Sequence, residues 1–187
     1  MKVLAICGSM RAGSSTGRAV QIVLEAAQAA GAEVDFLSLS ALDLPFCDGR
    51  KDEETYGGDA AAFRSRVLAA DAILVGSPEY HGSMTGSLKN ALDLLGPQYM
   101  RGKMVGLLAT ARGDAGAMNT LNHLRHVCRW MEAWVLPNQV SVPTSQDAFG
   151  PGGEVLRPGL EEELLQLGAE LVRYAGLLAG NGASRSK

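Results

Sequence analysis

The sequence predicts an α/β protein in which one five-stranded parallel sheet lies between two layers of helices. Strand-like apolar segments alternate with helical segments along the chain, and such alternation is typical of right-handed βαβ units. Three of the five strands are apolar throughout, as expected for parallel strands covered on both faces. A phosphate-type loop follows the first strand, and with five strands in all this favours the order 2-1-3-4-5 over the longer six-stranded dinucleotide-binding order.

The strands are predicted from apolar runs and from alternation of apolar and polar residues. The second strand alternates, whereas the first, third and fourth are apolar throughout. Pro137 in the last strand removes a backbone donor, which indicates an edge or a bulge there. The predicted strands are 2–7, 33–39, 71–77, 103–110 and 134–142.

The helices are predicted from apolar residues at helical spacing and from their end signals. Gly31 ends the first helix, Thr85 begins the third, and Pro158 lies just inside the start of the last. The predicted helices are 16–30, 59–70, 85–95, 114–131 and 158–178. The predicted buried face of the second helix comprises Phe63, Val67 and Leu68. That of the fourth helix comprises Met118, Leu121, Leu124 and Cys128. We expect one domain over residues 1–180 and a flexible tail at 181–187.

Composition and charge argue against several functional classes. A net charge of −3 disfavours general nucleic-acid binding, and no apolar run approaches the roughly 20 residues that span a bilayer. The three cysteines form no CxxC pair, which disfavours a disulfide framework or a thiolate-bound iron–sulfur cluster. The N-terminal apolar run is too short for a signal-peptide core, so we expect a cytoplasmic protein without nucleic-acid or membrane partners.

The loop after the first strand, GSMRAGSST at residues 8–16, has the features of an anion site. It resembles a Walker A loop, but Ser14 stands where the phosphate-binding lysine is required, and this argues against an NTPase. A second glycine for the GxGxxG pattern is also missing. Free N–H groups at the start of the following helix favour an anion, and one compact phosphate monoester would suit the loop. The alternative is an N-capped helix behind a serine-rich loop. The candidate contacts are Ser9, Arg11, Ser14, Ser15 and Thr16.

The loop after the third strand begins SPEYHGSM and would lie across the same crevice. Tyr80 and His81 offer flat side chains, and Gly82 allows the backbone to approach a planar ligand. In an open parallel sheet, ligands bind where the strand order reverses, here between strands 1 and 3. A flat, partly polar heterocycle with a phosphate tail in the first loop describes flavin mononucleotide (FMN).

A third loop, TARGDAG at residues 110–116, would lie beside this crevice. Arg112 could contact a phosphate of NADPH or a carboxylate of a substrate, and Gly113 could allow a ring to approach. An ordinary β–α turn is the alternative.

Two motifs resemble those of the NADPH-dependent FMN reductases, a flavodoxin-like family that includes quinone, azo-dye and chromate reductases. The first family motif, GSxRxxS, is matched by Gly8, Ser9, Arg11 and Ser14. The second, PEYNxSxPGxLKNAID, is matched by Pro78, Glu79, Tyr80, Ser83, Gly86, Leu88, Lys89, Asn90, Ala91 and Asp93. The chain departs from the family at three positions: His81 replaces Asn, Thr85 replaces Pro, and Leu94 stands where Trp is frequent.

The resemblance implies a flavodoxin-like fold in which the first loop holds the FMN phosphate. It implies ring contacts from Pro78, Glu79, Tyr80, His81, Gly82 and Ser83. No catalytic side chain is implied, because NADPH or NADH gives a hydride to flavin N5 and the electrons pass to flavin, quinone, azo or metal-oxyanion acceptors. The family also implies a homodimer or a dimer of dimers. The alternatives are a flavodoxin-like electron carrier, although such carriers tend to be strongly acidic, and a regulatory domain without cofactor.

Several polar residues have structural alternatives to a functional role. Glu79 could only anchor its loop, and Lys89 and Asp93, four apart, could form a solvated pair. His123 and His126 share a helix face, but the apolar stripe around Cys128 argues against a metal site. Trp130 and Trp134 belong either to the core or to a dimer interface.

Overall fold

The computed structural model describes residues 1–50 and 52–183 and contains one parallel sheet of five strands. The strands are β1 (Lys2–Cys7), β2 (Glu33–Ser38), β3 (Ala72–Pro78), β4 (Met104–Thr110) and β5 (Trp134–Val142). Their order in the sheet is β2-β1-β3-β4-β5, and every neighbouring pair is parallel, which confirms the predicted fold class.

Five helices cover the two faces of this sheet. They are α1 (Ser15–Ala29), α2 (Ala60–Ala69), α3 (Gly86–Asp93), α4 (Met118–Trp130) and α5 (Leu160–Ala183). Short 3-10 turns occupy Leu39–Ala41, Glu53–Thr55 and Pro97–Tyr99. Helix α4 begins later than predicted, and α5 extends beyond Leu178 to Ala183. Residues 184–187 of the expected tail lie outside the described residues.

Alternating side chains of the strands build two separate cores. Leu4 and Ile6 pack towards α2, α3 and α4, whereas Val3 and Ala5 pack towards α1 and α5. At Gly168 of α5 an added Cβ would overlap the backbone of α1, so this glycine allows the two helices to pack closely. The double coverage explains why β1, β3 and β4 are apolar throughout.

The predicted irregularity at Pro137 is confirmed. β5 is an edge strand, and its register against β4 shifts between Val105 and Leu107, which pair with Val135 and Gln139 respectively. The shift places Pro137 in a bulge, where the missing N–H leaves no gap in the ladder.

Two predicted core residues are in fact exposed. Leu68 immediately follows the buried Val67, so it lies about 100° around the helix and faces solvent. Met118 is the first residue of α4 and is half-exposed, because the helix has only begun to cover the sheet there. In residues 1–50 and 52–183, no helix is both long and apolar enough to cross a membrane.

Candidate functional site

A cleft of about 150 Å³ lies beyond the carboxyl ends of β1, β3 and β4, at the reversal of strand order. It unites most of the candidate residues of the three predicted loops and adds Thr110, the first residue of the third loop, and Ser145, which lies outside those loops. The lining residues are Ser9, Arg11, Ser14, Ser15, Thr16, Pro78, Glu79, Tyr80, Thr110, Arg112 and Ser145. His81, Gly82, Ser83 and Gly113 do not line it.

The first loop presents backbone donors rather than a full set of hydroxyls. Ser14 is the N-cap of α1, and its Oγ accepts a hydrogen bond of 3.0 Å from the Gly17 N–H. The hydroxyl of Ser15 donates to the Ser145 carbonyl, and that of Thr16 pairs with the Thr110 hydroxyl, both at 2.7 Å. The N–H groups of Ser15 and Thr16 open the helix and have no intrahelical acceptor. Ser15 and Thr16 therefore have main-chain donors to offer an anion.

Gly8 locks the first loop against α3. Its N–H donates to the Gly76 carbonyl at 2.7 Å, and its own carbonyl accepts from the Thr85 hydroxyl at 2.9 Å. The Ser87 hydroxyl also lies 3.2 Å from this carbonyl. A Cβ at Gly8 would approach the Leu88 Cβ to 2.9 Å, so a side chain here would force the loop away from α3. The first glycine of the motif thus serves close packing.

The second loop forms a tight turn over residues 80–83. The N–H and carbonyl groups of Tyr80 and Ser83 bond each other at 2.8 and 3.1 Å. His81 and Gly82 both have positive φ angles, 52° and 76°, as the two central residues of a type I′ turn require. Asn and His tolerate the left-handed region better than most residues, so the departure from the family at His81 preserves this backbone conformation.

Glu79 anchors the second loop to its neighbours. Its N–H donates to the Thr110 carbonyl at 2.7 Å, and its Oε2 accepts from the Thr120 N–H at 3.0 Å near the start of α4. These contacts give Glu79 an anchoring role, and its expected contact with the flavin ring stays a prediction. Tyr80, next in the chain, is 51% exposed and leaves a ring face accessible at the cleft.

The third loop is held by the segment that follows β5. The Thr144 N–H donates to the Gly113 carbonyl at 3.1 Å, and the Ser145 N–H donates to the Ala111 carbonyl at 2.9 Å. These bonds leave Arg112 between them, lining the cleft, while Gly113 forms the turn. The sequence held one signal for Ser145: it lies just after a parallel strand, at the same sheet edge as the other loops.

The family model for NADPH-dependent FMN reductases matches residues 1–147. The chain belongs to this family. It is 33% identical over 184 residues to an NAD(P)H-dependent FAD/FMN reductase of Geobacillus thermodenitrificans, covering 97% of both chains. It is also 30% identical to an FMN-dependent NADPH-azoreductase of Staphylococcus haemolyticus, covering 91% of this chain and 90% of the relative. Membership makes this protein an oxidoreductase of a family defined by FMN and NADPH.

Solved structures support the same fold. The flavoenzyme NAD(P)H:(acceptor) oxidoreductase FerB of Paracoccus denitrificans aligns with a TM-score of 0.73 at 20% identity, covering 94% of this chain and 97% of that one. An archaeal flavodoxin aligns with a TM-score of 0.67 at 14% identity, covering 94% and 99%. The reductase therefore has the flavodoxin-like fold that its motifs implied.

The thiol beneath the phosphate-type loop of this reductase suits an anion site. Cys7 is buried, and burial raises the pKa of its thiol, although contacts with Ser9 and Ser14 act in the opposite direction. A protonated thiol adds no negative charge under the loop. Arg11 and Arg112 line the cleft from two sides, so its charged lining includes two cations and the anchored Glu79.

The histidine pair of α4 is not assembled into a metal centre in the part of the chain that the structure describes. No group of three or more His, Cys, Asp or Glu residues there could hold a metal ion. His123 instead pairs its Nδ1 with the Ser83 hydroxyl at 2.9 Å. Burial raises the pKa of Cys128 to about 12, as expected for a thiol within the apolar stripe.

Proposed function

We propose that this protein is an FMN-dependent NAD(P)H oxidoreductase that delivers electrons to small-molecule acceptors. The observation that carries the proposal is the pairing of two features across one cleft. Unpaired N–H groups and Arg11 lie on one side, and the exposed ring of Tyr80 lies on the other. The first feature suits a phosphate and the second a flat heterocycle, which together are the two ends of FMN.

The phosphate end would be held by the loop that begins α1. The N–H groups of Ser15 and Thr16 donate along the helix axis, and the helix dipole favours negative charge there. Arg11 adds a charge-assisted contact, and the hydroxyls of Ser9 and Ser14 complete the cradle. One phosphate monoester matches this set of donors.

The ring end would be held by the turn that follows β3. Pro78 and Tyr80 line the cleft, and the I′ turn at His81 and Gly82 fixes the direction of the loop. Bound FMN supplies hydride acceptance and electron transfer, so the chain needs no side-chain nucleophile. What the residues supply is binding, orientation and exclusion of water from one face of the ring.

The Arg11→Ala variant tests the phosphate site. Arg11 is exposed and its head group has no protein partner among the described residues, so we expect the fold to survive. Loss of one charge-assisted contact, about 1.5–3 kcal/mol, should weaken FMN binding roughly ten- to a hundredfold. Titration calorimetry with FMN measures the effect, with Arg173→Gln on α5 as an exposed control. An affinity equal to that of the wild type would overturn the assignment.

The electron-carrier alternative is separated by the reaction with nicotinamide. A reductase loaded with FMN bleaches when it is mixed anaerobically with NADPH, whereas a carrier stays yellow. Stopped-flow absorbance reads the difference directly. If the protein is colourless once unbound FMN has been removed after incubation with an excess, it is a domain without cofactor, and the proposal is overturned.

The acceptors are part of the proposal. Relatives named FMN reductase and azoreductase support free flavins and azo dyes, and an open cleft edge would also admit quinones or chromate. Steady-state kinetics with NADPH and NADH against this acceptor panel would rank them. Failure to reduce any member with either nicotinamide would refute the reductase assignment.

The proposed assembly is a homodimer, either alone or within a dimer of dimers. A largely apolar groove of about 410 Å³ separates α3 from α4. Leu92, Leu95, Val127 and Trp130 line it, with Lys89 and Asp93 also in its lining, and Trp130 is 77% exposed. Trp130 therefore lies outside the core, as expected of an interface residue. Light scattering should show that Trp130→Arg dissociates the dimer while Trp134→Arg, which lines a different cleft, does not. A wild-type protein that is monomeric in solution would refute the proposed dimer.

We also place the protein in the cytoplasm. Cys7, Cys47 and Cys128 are all free thiols, which is typical of a reducing compartment. Fractionation of cells followed by immunodetection tests this, and recovery in an oxidising compartment would contradict it.

A further inference from the structure

Ser145 enters the candidate cleft from outside the three predicted loops. It lines the cleft and is only 8% exposed. Within the described part of the chain its hydroxyl makes no hydrogen bond, whereas every other serine or threonine hydroxyl of the cleft lining has a protein partner. Largely buried polar groups are almost always hydrogen-bonded in folded proteins. The Ser145 hydroxyl is therefore free for a partner that the chain itself does not supply.

Both main-chain groups of Ser145 are bonded to neighbouring elements. Its N–H donates to the Ala111 carbonyl of the third loop at 2.9 Å. Its carbonyl accepts from the hydroxyl of Ser15, the first residue of α1, at 2.7 Å. The main chain is thus fixed from two sides, and only rotation about the side-chain bonds is left to aim the hydroxyl.

The residue before Ser145 is held in a strained conformation. Thr144 has a φ of 43°, which is rare for a β-branched side chain. Its N–H donates to the Gly113 carbonyl at 3.1 Å, and its carbonyl accepts from the Asp147 N–H at 2.9 Å. Strained residues of this kind are concentrated at functional sites, where the surrounding bonds hold them in place. Here those bonds place Ser145 beside both α1 and the third loop, soon after β5 ends.

The surroundings of the Ser145 hydroxyl favour an anion as its partner. The N–H groups that open α1 lack intrahelical acceptors, and they begin at Ser15, which is bonded to Ser145. Arg11 and Arg112 line the same cleft, while the carboxylate of Glu79 in the lining is bonded to α4. A hydroxyl among these donors offers a phosphate oxygen a further hydrogen bond, and bonds to a charged acceptor are the strong ones.

We infer that the Ser145 hydroxyl donates a hydrogen bond to the phosphate of the bound flavin and so adds to a preference for FMN over riboflavin. The inference rests on the proposed function, which puts the FMN phosphate at the start of α1. It adds a contact from the segment after β5, outside both family motifs. Riboflavin has the same ring and ribityl chain but no phosphate, so it leaves this hydroxyl without its partner.

Calorimetric titration of Ser145→Ala with FMN and with riboflavin tests the contact. The substitution removes a hydroxyl without a protein partner and keeps both main-chain bonds, so we expect the fold to survive. FMN affinity should fall roughly tenfold or more, the effect of one hydrogen bond to a charged group, while riboflavin affinity should stay within about twofold. Ser65→Ala, on the exposed surface of α2, is the matched control and should change neither affinity.

Two results of this titration would overturn the inference. An FMN affinity of Ser145→Ala equal to that of the wild type would show that the hydroxyl makes no contact with the flavin. An equal loss of affinity for FMN and riboflavin would place the contact on the ribityl chain or the ring instead of the phosphate.

Phosphorus NMR of bound FMN reads the same contact directly. At saturating FMN, the phosphate resonance should differ between the wild type and Ser145→Ala, because the variant removes a donor from the phosphate. The resonance in Ser65→Ala should match that of the wild type. A resonance in Ser145→Ala identical to that of the wild type would also overturn the inference.

The two proposals fail separately. FMN binding by the wild type, read from visible absorbance, reports the proposed function, whereas the difference between the wild type and Ser145→Ala reports the serine contact. A wild type that binds FMN no more tightly than Ser145→Ala refutes the serine contact alone. Inorganic phosphate added to the flavin-free protein should raise the unfolding temperature of the wild type more than that of Ser145→Ala. Equal shifts would overturn the serine contact whether or not FMN binds.

Discussion

Replacing Thr85 by valine tests how the two ligand loops are held together. The Thr85 side chain is 3% exposed, donates to the Gly8 carbonyl at 2.9 Å, and accepts from the Leu88 N–H at 3.2 Å. Valine has nearly the same shape but neither donor nor acceptor. The variant therefore removes one helix cap and one link between loops without creating a cavity.

The expected loss of stability follows from the polar groups that the substitution leaves without a hydrogen-bond partner. Loss of an N-cap costs about 1 kcal/mol. A buried donor or acceptor left unpaired costs about 1–3 kcal/mol. The Gly8 carbonyl keeps the Ser87 hydroxyl at 3.2 Å, so the main orphan is the Leu88 N–H. We expect Thr85→Val to reduce the free energy of unfolding by about 2 kcal/mol.

Urea denaturation of the protein without flavin measures this change, with Thr85→Ser as the matched control. Serine keeps the hydroxyl and loses one buried methyl group. Its loss of unfolding free energy should therefore be about 0.8 kcal/mol, the value for one buried CH₂ group. An unchanged m-value would show that the denatured state is unaffected. If Thr85→Val is as stable as the wild type, or no less stable than Thr85→Ser, the hydroxyl does not link the loops.

Substitutions at four further positions test the fold. Gly168→Ala should destabilise by about 1–3 kcal/mol because its methyl would overlap the backbone of α1. Gly176→Ala on the same helix, with only the Met1 side chain nearby, should instead stabilise by about 0.5–1 kcal/mol in the same urea titration. Arg66 lowers the pKa of Asp35, so this carboxylate stabilises the fold above its unfolded pKa, about 3.9, and the gain is lost as the pH falls through its lower folded pKa. Asp35→Asn should therefore flatten the acid limb of a stability–pH curve, and an unchanged limb would contradict the ion pair. His81→Val should lower the free energy of unfolding by about 1–2 kcal/mol, because φ at this position is left-handed. The free energy of unfolding of His81→Asn should stay within about 0.5 kcal/mol of the wild-type value.

The sheet order and the three ligand loops could be predicted because they depend on local pattern. Burial on both faces makes β1, β3 and β4 apolar, and the position of a loop after a parallel strand fixes the sheet edge at which it lies. The start of α4 could not be predicted as well, because the first turn after Arg112 is decided by Ser141, whose hydroxyl accepts from the Ala117 N–H at 2.9 Å. That contact joins residues 24 apart in sequence.

The role of the hydroxyls in the first loop was beyond sequence reasoning for a similar reason. Ser14, Ser15 and Thr16 are equivalent in the sequence, and each could have contacted a phosphate. In the fold, Ser15 bonds the Ser145 carbonyl and Thr16 bonds Thr110. Those partners come from β4 and from the segment after β5, which no local pattern connects to the loop. Tertiary contacts thus decide which donors an anion can use.

The two departures from the family in the second loop have a common physical explanation. Thr85 has φ −62° and ψ 148°, which is the conformation that proline imposes, so the two residues fit the same backbone. His81 has φ 52°, where asparagine is also tolerated. At both positions the main-chain conformation also suits the residue usual in the family, although the Thr85 hydroxyl adds a helix cap and a link to Gly8 that proline could not form. Part of the family motif therefore specifies how the loop turns rather than which side chains contact a ligand, and at His81 that part needs only a residue that tolerates a positive φ.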